Sequence, residues 1–261
     1  MQLIRNPGHR EPALTPRSVP FTKGGCLMRR RRLLSAAPMV VAALVVVGLA
    51  LALSACGGAG GQEKAKARSL PLYPTEHALR PGEYHSVKFK PPLSFKLGKG
   101  WSNTEEQFSD FIQLAQQGEI GTLQFANVKK VYKPGTANVV EAPKDLVGWL
   151  QHHPYLKTSK PQPVTVGGVK GEQLEVLIDH LPKDPNGYCD PNPSGCLDIF
   201  HLSGGDQLGY FGKNFNARRV TVLGDVKGDT VVVWYAGPPD TFDKFAPKAQ
   251  KVVDSVKWSG S

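Results

Sequence analysis

Cys189 and Cys196 are the residues best placed for chemistry in this 261-residue chain. They flank Asp190-Pro191-Asn192-Pro193-Ser194-Gly195, a turn-rich segment able to bring two thiols together. A disulfide closing so short a loop stabilises a fold by about 2.5 kcal/mol, by restricting the unfolded chain. The competing chemistry is a metal site built from Cys189, Cys196, Asp198 and His201. A Cys-x6-Cys spacing lacks the tight Cys-x2-Cys knuckle of structural zinc sites, which favours the bridge.

The remaining candidates for catalysis are weaker. His152-His153 invites a reading as a ligand pair, but adjacent helical positions point about 100° apart and chelate poorly. Pro154 then ends the helix, and a histidine favoured by the carbonyl dipole at a helix end explains the pair better. His77, His85, His180 and His201 are scattered without ligand spacing. There is no Gly-x-Ser-x-Gly and no His-Glu-x-x-His. Ser203-Gly204-Gly205-Asp206 reads as a loop rather than a nucleophile site. Gly167-Gly168 and Gly204-Gly205 precede no helix, so they lack the dipole that phosphate binding uses. Glu105-Glu106 fall in an expected loop, with nothing to support a general-acid role. No cofactor signature is present. If any segment recognises a partner, it is Tyr210 to Arg219, where Tyr210, Phe211, Lys213, Phe215 and Arg218 mix apolar and polar groups, together with the Cys189–Cys196 loop.

The N-terminal leader indicates where such a domain works. Arg29 to Arg32 precede an uncharged apolar run from Leu33 to Leu53, and small residues follow. That is the order of a secretory signal, with the arginines retained on the cytoplasmic side. Leu53-Ser54-Ala55-Cys56 resembles the lipobox of bacterial lipoproteins. The resemblance implies that Cys56 carries a thioether-linked diacylglycerol and becomes the mature N-terminus. The alternative is an uncleaved membrane anchor, since the apolar run is long enough to span a bilayer. Both place the domain on the extracytoplasmic face of the membrane. Met28 directly precedes the arginines, so residues 1–27 read as an over-extended start or a disordered lead-in, and 28–55 as the signal.

Charge excludes one class of partner. The whole chain carries +10, but residues 1–55 hold eight of its 32 basic residues and one of its 22 acidic ones. That leaves 24 against 21, a net of +3 and an ordinary surface, so no nucleic-acid partner is expected. About 200 residues remain, enough for one core. With Cys26 lost in the leader and Cys56 lipidated, Cys189 and Cys196 are an even pair in an oxidising compartment.

The elements that position these residues are mostly strands. Gly57 to Arg68 reads as a tether and Ser69 to Pro81 as an extended lead-in, so 56–80 is expected as linker and 81–261 as a single globular domain. Val87 and Phe89, then Leu93, Phe95 and Leu97, alternate with polar residues. Hairpins are expected across Gln116-Gln117-Gly118-Glu119, across Gly167-Gly168, and across Lys227-Gly228-Asp229. The return strand through Val231, Val233 and Tyr235 also carries Val232 and Trp234 on its other face, which predicts a central position. Two helices are expected: Pro143 to His152, and one from about Ala246 with Pro247 in its first turn. Trp101, Phe111, Phe125, Trp149, Trp234 and Trp258 read as core. The class is α+β, an antiparallel sheet built from hairpins with a few packed helices.

Leu79-Arg80-Pro81-Gly82-Glu83-Tyr84, Phe95, Gly100-Trp101, Asp145-Leu146, Trp149-Leu150, His153-Pro154, Pro163 to Gly168, Gly171 and Asp254-Ser255-Val256-Lys257-Trp258 together resemble a group of secreted or lipid-anchored actinobacterial proteins of unassigned function. More distantly they resemble the Mog1/PsbP-like α/β/α sandwich, also adopted by mycobacterial LpqN-type lipoproteins. The resemblance spans most of residues 80–258 and rests on turn and core residues. It implies a non-catalytic binding or assembly role toward an envelope protein or an apolar ligand. The alternatives are an envelope hydrolase with a dispersed active site, and a structural accessory subunit of a membrane complex.

Overall fold

The alternation from Val231 to Tyr235 is resolved into two cores. Val231, Val233 and Tyr235 belong to one hydrophobic cluster, while Val232 and Trp234 belong to a second on the opposite face. A computed structural model describes residues 66–72, 77–118, 120–182, 195–203 and 209–259. The leader, Cys56 and Cys189 lie outside the described residues. Among the described residues, no helix is long and apolar enough to cross a membrane.

The main sheet has nine strands and every pairing in it is antiparallel. Its order is Leu156–Thr158, Val169–Ile178, Ala217–Val226, Asp229–Gly237, Gly121–Asn127, Phe111–Gln116, Trp101–Phe108 and His77–Leu79. Gln162–Val166 shares the first edge by pairing with Val169–Ile178. Asp229–Gly237 lies inside the sheet with a neighbour on each side, as its two apolar faces require. The three expected hairpins form. Two of their turns have the φ > 0 pairs that match strand twist: Gly167 and Gly168 at 58° and 84°, Lys227 and Gly228 at 59° and 87°.

Each face is covered by one helix and by shorter strands. Helix α2, Phe242–Asp254, buries Phe242, Phe245, Ala246, Ala249, Val252 and Val253 against the first face. Burial of a Val or Phe of this kind contributes about 1.5–3 kcal/mol. Gly121 makes this approach possible, because a Cβ there would lie 2.5 Å from the Phe245 ring. A small sheet of Arg68–Ser69, Gly82–His85, Leu93–Leu97 and Lys257–Trp258 completes that cover. On the second face lie α1, Leu146–Gln151, and the strands Lys130–Tyr132, Val139–Glu141, Cys196–Asp198, Phe200–His201 and Tyr210–Gly212. The molecule is therefore mostly antiparallel sheet with few helices.

Several local expectations are corrected. The folded region reaches back into the stretch expected as linker, since Leu70 is buried and Arg68–Ser69 pairs with Tyr84 and His85. Val87 is exposed on a bend rather than in a strand. Glu105 and Glu106 lie in the Trp101–Phe108 strand, not a loop. Pro143 lies outside α1, whose cap is Asp145, its side chain accepting from Gly148 N at 2.8 Å. Helix α2 begins at Phe242, so Pro247 is internal. Pro247 and Asp243 are both on the solvent face, where water can satisfy the carbonyl the proline leaves unbonded. The buried Phe242 and Phe245 outweigh that lost bond.

Candidate functional site

Two cross-strand rows on the α2 face form the floor of an open groove. Register places Glu175 beside Arg219 and Arg219 beside Tyr235, and places Gln162 beside Gln173 and Gln173 beside Thr221. Residues directly opposite in antiparallel strands share a face, so these side chains converge. The groove opens where the edge is interrupted between Leu156–Thr158 and Gln162–Val166. There Ser159 replaces the ladder, donating its N–H to the Glu175 carbonyl at 3.0 Å while its Oγ accepts from Glu175 N at 2.9 Å. Ser159, Lys160, Gln162, Gln173, Leu174, Glu175 and Arg219 line a volume of about 430 Å³.

Arg219 is the organised charge in this groove. Its Nη2 donates to Glu175 Oε1 at 3.0 Å and its Nη1 to the Tyr235 hydroxyl at 3.3 Å. Tyr235 donates onward to Gln250 Oε1 at 2.6 Å, and Gln250 Nε2 donates to Asp254 Oδ1 at 2.7 Å. The Tyr235 ring is stacked on Phe242 of α2, so the helix fixes the group that orients the guanidinium. Burial alone would lower the Arg219 guanidinium, but its bonds to Glu175 and Tyr235, and their charges, hold it above its usual range. Burial pushes the Tyr235 phenol up, and Arg219 offsets only part of that rise.

Two residues of the expected recognition segment, Phe211 and Arg218, point into the interior. Phe211 is fully buried, and Arg218 lies over its ring while donating to the Gly212 carbonyl at 2.5 Å. Tyr210 begins a strand; Lys213 and Phe215 form a turn of 3-10 helix, with Lys213 exposed and Phe215 half-buried. Cys196 is disulfide-bonded, which removes its thiolate from any metal site. Its pairing with Cys189 remains an expectation, as does lipidation of Cys56, since Cys189 and Cys56 lie outside the described residues. Among the described residues, no cluster of three or more His, Cys, Asp or Glu side chains is arranged to hold a metal ion.

The remaining histidines and serines do not assemble a nucleophile site among the described residues. Ser203 is bonded directly to Asp110, by its N–H at 2.7 Å and its Oγ at 2.6 Å, with no imidazole between them. His201 Nδ1 meets the Tyr132 hydroxyl instead. Ser69 Oγ and His85 Nε2 are 3.1 Å apart on the solvent side of the small sheet, and no carboxylate among the described residues orients that imidazole. His152 Nδ1 lies 2.7 Å from the Gly148 carbonyl, the helix-end contact expected of it. His153 is buried against Trp149 and Tyr155, and burial lowers its pKa to about 4.

Sequence reasoning did not single out Glu175, Gln162 or Gln173, took Tyr235 only as an apolar strand position, and reached Arg219 only as the end of a segment. Strand parity carries the missing signal. Once the strand is extended back to Ala217, Arg218 shares a face with Val220 and Val222, while Arg219 shares the other with Thr221.

No known protein family matches the chain, and no curated protein does. Among solved structures, the cyanobacterial PsbP protein CyanoP from Synechocystis aligns with 79% of this chain and 98% of its own, at 11% identity and a TM-score of 0.36.

Proposed function

We propose that this chain is an extracytoplasmic, lipid-anchored binding module with no catalytic step of its own, and that it engages a protein of the cell envelope through the groove over Arg219. The observation that carries the reading is the pinned guanidinium at the floor of an open concavity. A groove this open cannot bury most of a small ligand's surface, as ligand pockets do, but it suits a chain segment presented by a larger partner. The charged and amide side chains along it, Lys160, Gln162, Gln173, Glu175 and Arg219, favour a protein partner over a wholly apolar ligand. The arginines, apolar run and Cys56 of the leader support the location. As the corresponding fold proposal, a Mog1/PsbP-like sandwich agrees with one helix packed into the core on each face of the main sheet.

The test is photo-crosslinking in intact cells, with a photoreactive residue placed at Lys160 or Gln162 in the groove, or at Lys244 on the solvent face of α2. The groove positions are expected to give one shared adduct that Lys244 does not. Failure of both groove positions to capture any protein overturns the reading.

A further inference from the structure

We infer that the partner's anchoring group is a carboxylate, which takes the place of Glu175 on the Arg219 fork; this rests on the groove being the binding site. Glu175 already shows what the fork accepts, with Oε1 3.0 Å from Nη2. That occupant is weakly held: its side chain is 60% exposed against 31% for Arg219, and exposed ion pairs contribute little. The receiving half is rigid. Tyr235 uses its proton toward Gln250, leaving its lone pairs to accept from Nη1, so the guanidinium plane stays fixed when Glu175 leaves. With Glu175 swung outward, the lining presents Arg219 and Lys160 beside the Gln162 and Gln173 amides, two cations without a facing acid.

A carboxylate fits better than a phosphate. A guanidinium accepts either anion, but the groove lining includes no helix N-terminus or glycine-rich turn to supply the converging backbone N–H groups that a phosphate's further oxygens need, whereas a carboxylate is served by Arg219 and Lys160. Glu175 thus acts as an internal competitor that an acidic side chain of the partner displaces.

The probe is a fluorescein-labelled acetyl-tetraglutamate peptide, titrated against the full chain in detergent by anisotropy, with the tetraglutamine peptide as control. The acidic peptide is expected to bind and the glutamine peptide not. Glu175→Gln removes the competitor and tightens binding by about two- to sixfold, while Arg219→Met abolishes it. Because Glu175→Gln is conservative and exposed, tightening cannot come from a damaged fold. Equal binding of both peptides, no binding of the acidic one, an unchanged affinity in Glu175→Gln, or stronger competition by inorganic phosphate than by acetate overturns the inference. The same variants in the cellular crosslinking separate the two claims. Groove adducts unaffected by Glu175→Gln and Arg219→Met leave the groove standing and remove the carboxylate; no groove adduct in the unaltered chain removes both.

Discussion

Arg218 and Phe211 face one another inside the protein, with the guanidinium carbon 4.5 Å from the ring centroid. The ring also meets Phe200 and Trp234, at 6.0 and 6.3 Å. A buried charge is tolerated only when its donors are used. Arg218 donates to the Gly212 carbonyl and, at 3.4 Å, to Asn216 Oδ1, which in turn accepts from Ile178 N at 2.6 Å. Arg218 therefore ties the Tyr210–Gly212 strand to the main sheet. Arg218→Ala is expected to lower stability by about 2–4 kcal/mol, from lost charged hydrogen bonds, ring contact and packing. Lys213→Ala, two residues from Phe211 but exposed, should change it by less than about 0.5 kcal/mol. Urea unfolding monitored by tryptophan fluorescence measures both. Equal effects would show that Arg218 is not the tie.

The hairpins are legible in the sequence because their signals are local. Gly167-Gly168 and Lys227-Gly228 lie between alternating apolar residues, and turn chemistry sets their register within a few positions. The central strand is legible because five successive apolar residues have no solvent face. The groove is not, because Glu175 and Arg219 are 44 residues apart and meet only through a register that the intervening chain conceals. The beginning of α2 departs from expectation for a related reason. Pro247 is a local signal against the helix, whereas the seat of Phe245 beside Gly121 exists only after the sheet has formed. Arg218 reads as facing a partner because its segment looks like a loop, and only strand parity turns it inward.

His153 gives the fold a pH dependence of known sign. Its Nδ1 accepts from Tyr155 N at 3.4 Å, so the proton resides on Nε2, which is buried without a partner. Tyr155 meets His180, itself 3.0 Å from Asp179, and neither acid nor base contacts the His153 ring directly. Burial holds its pKa at about 4, below the usual 6.5. Between those values the unfolded chain binds the proton and the folded chain does not. The stability is thus fully present above pH 6.5 and is lost as pH falls toward 4. The loss amounts to roughly 3 kcal/mol at most. His153→Phe should abolish this part of the pH dependence, read as the difference between urea midpoints at about pH 7.5 and about pH 4.5. A variant that still loses as much stability as the parent would assign the effect to other groups.

The bonded Cys196 opens the Cys196–Asp198 strand, which pairs with Tyr210–Gly212, and Lys213 N donates to the Gly195 carbonyl at 2.9 Å. If Cys189 is the partner, Cys189→Ser and Cys196→Ser each remove the same loop closure and cost about 2.5 kcal/mol. The double variant then costs no more than either single one, because both changes break one bond. Thiol titration of the unfolded, unreduced chain provides the second readout. Cys189→Ser should expose one new reactive thiol, at Cys196, and Cys196→Ser one at Cys189. Additive stability losses, or a Cys196 that stays unreactive in Cys189→Ser, would assign the bond to another cysteine and leave the Asp190–Gly195 turn without the closure that its sequence suggests.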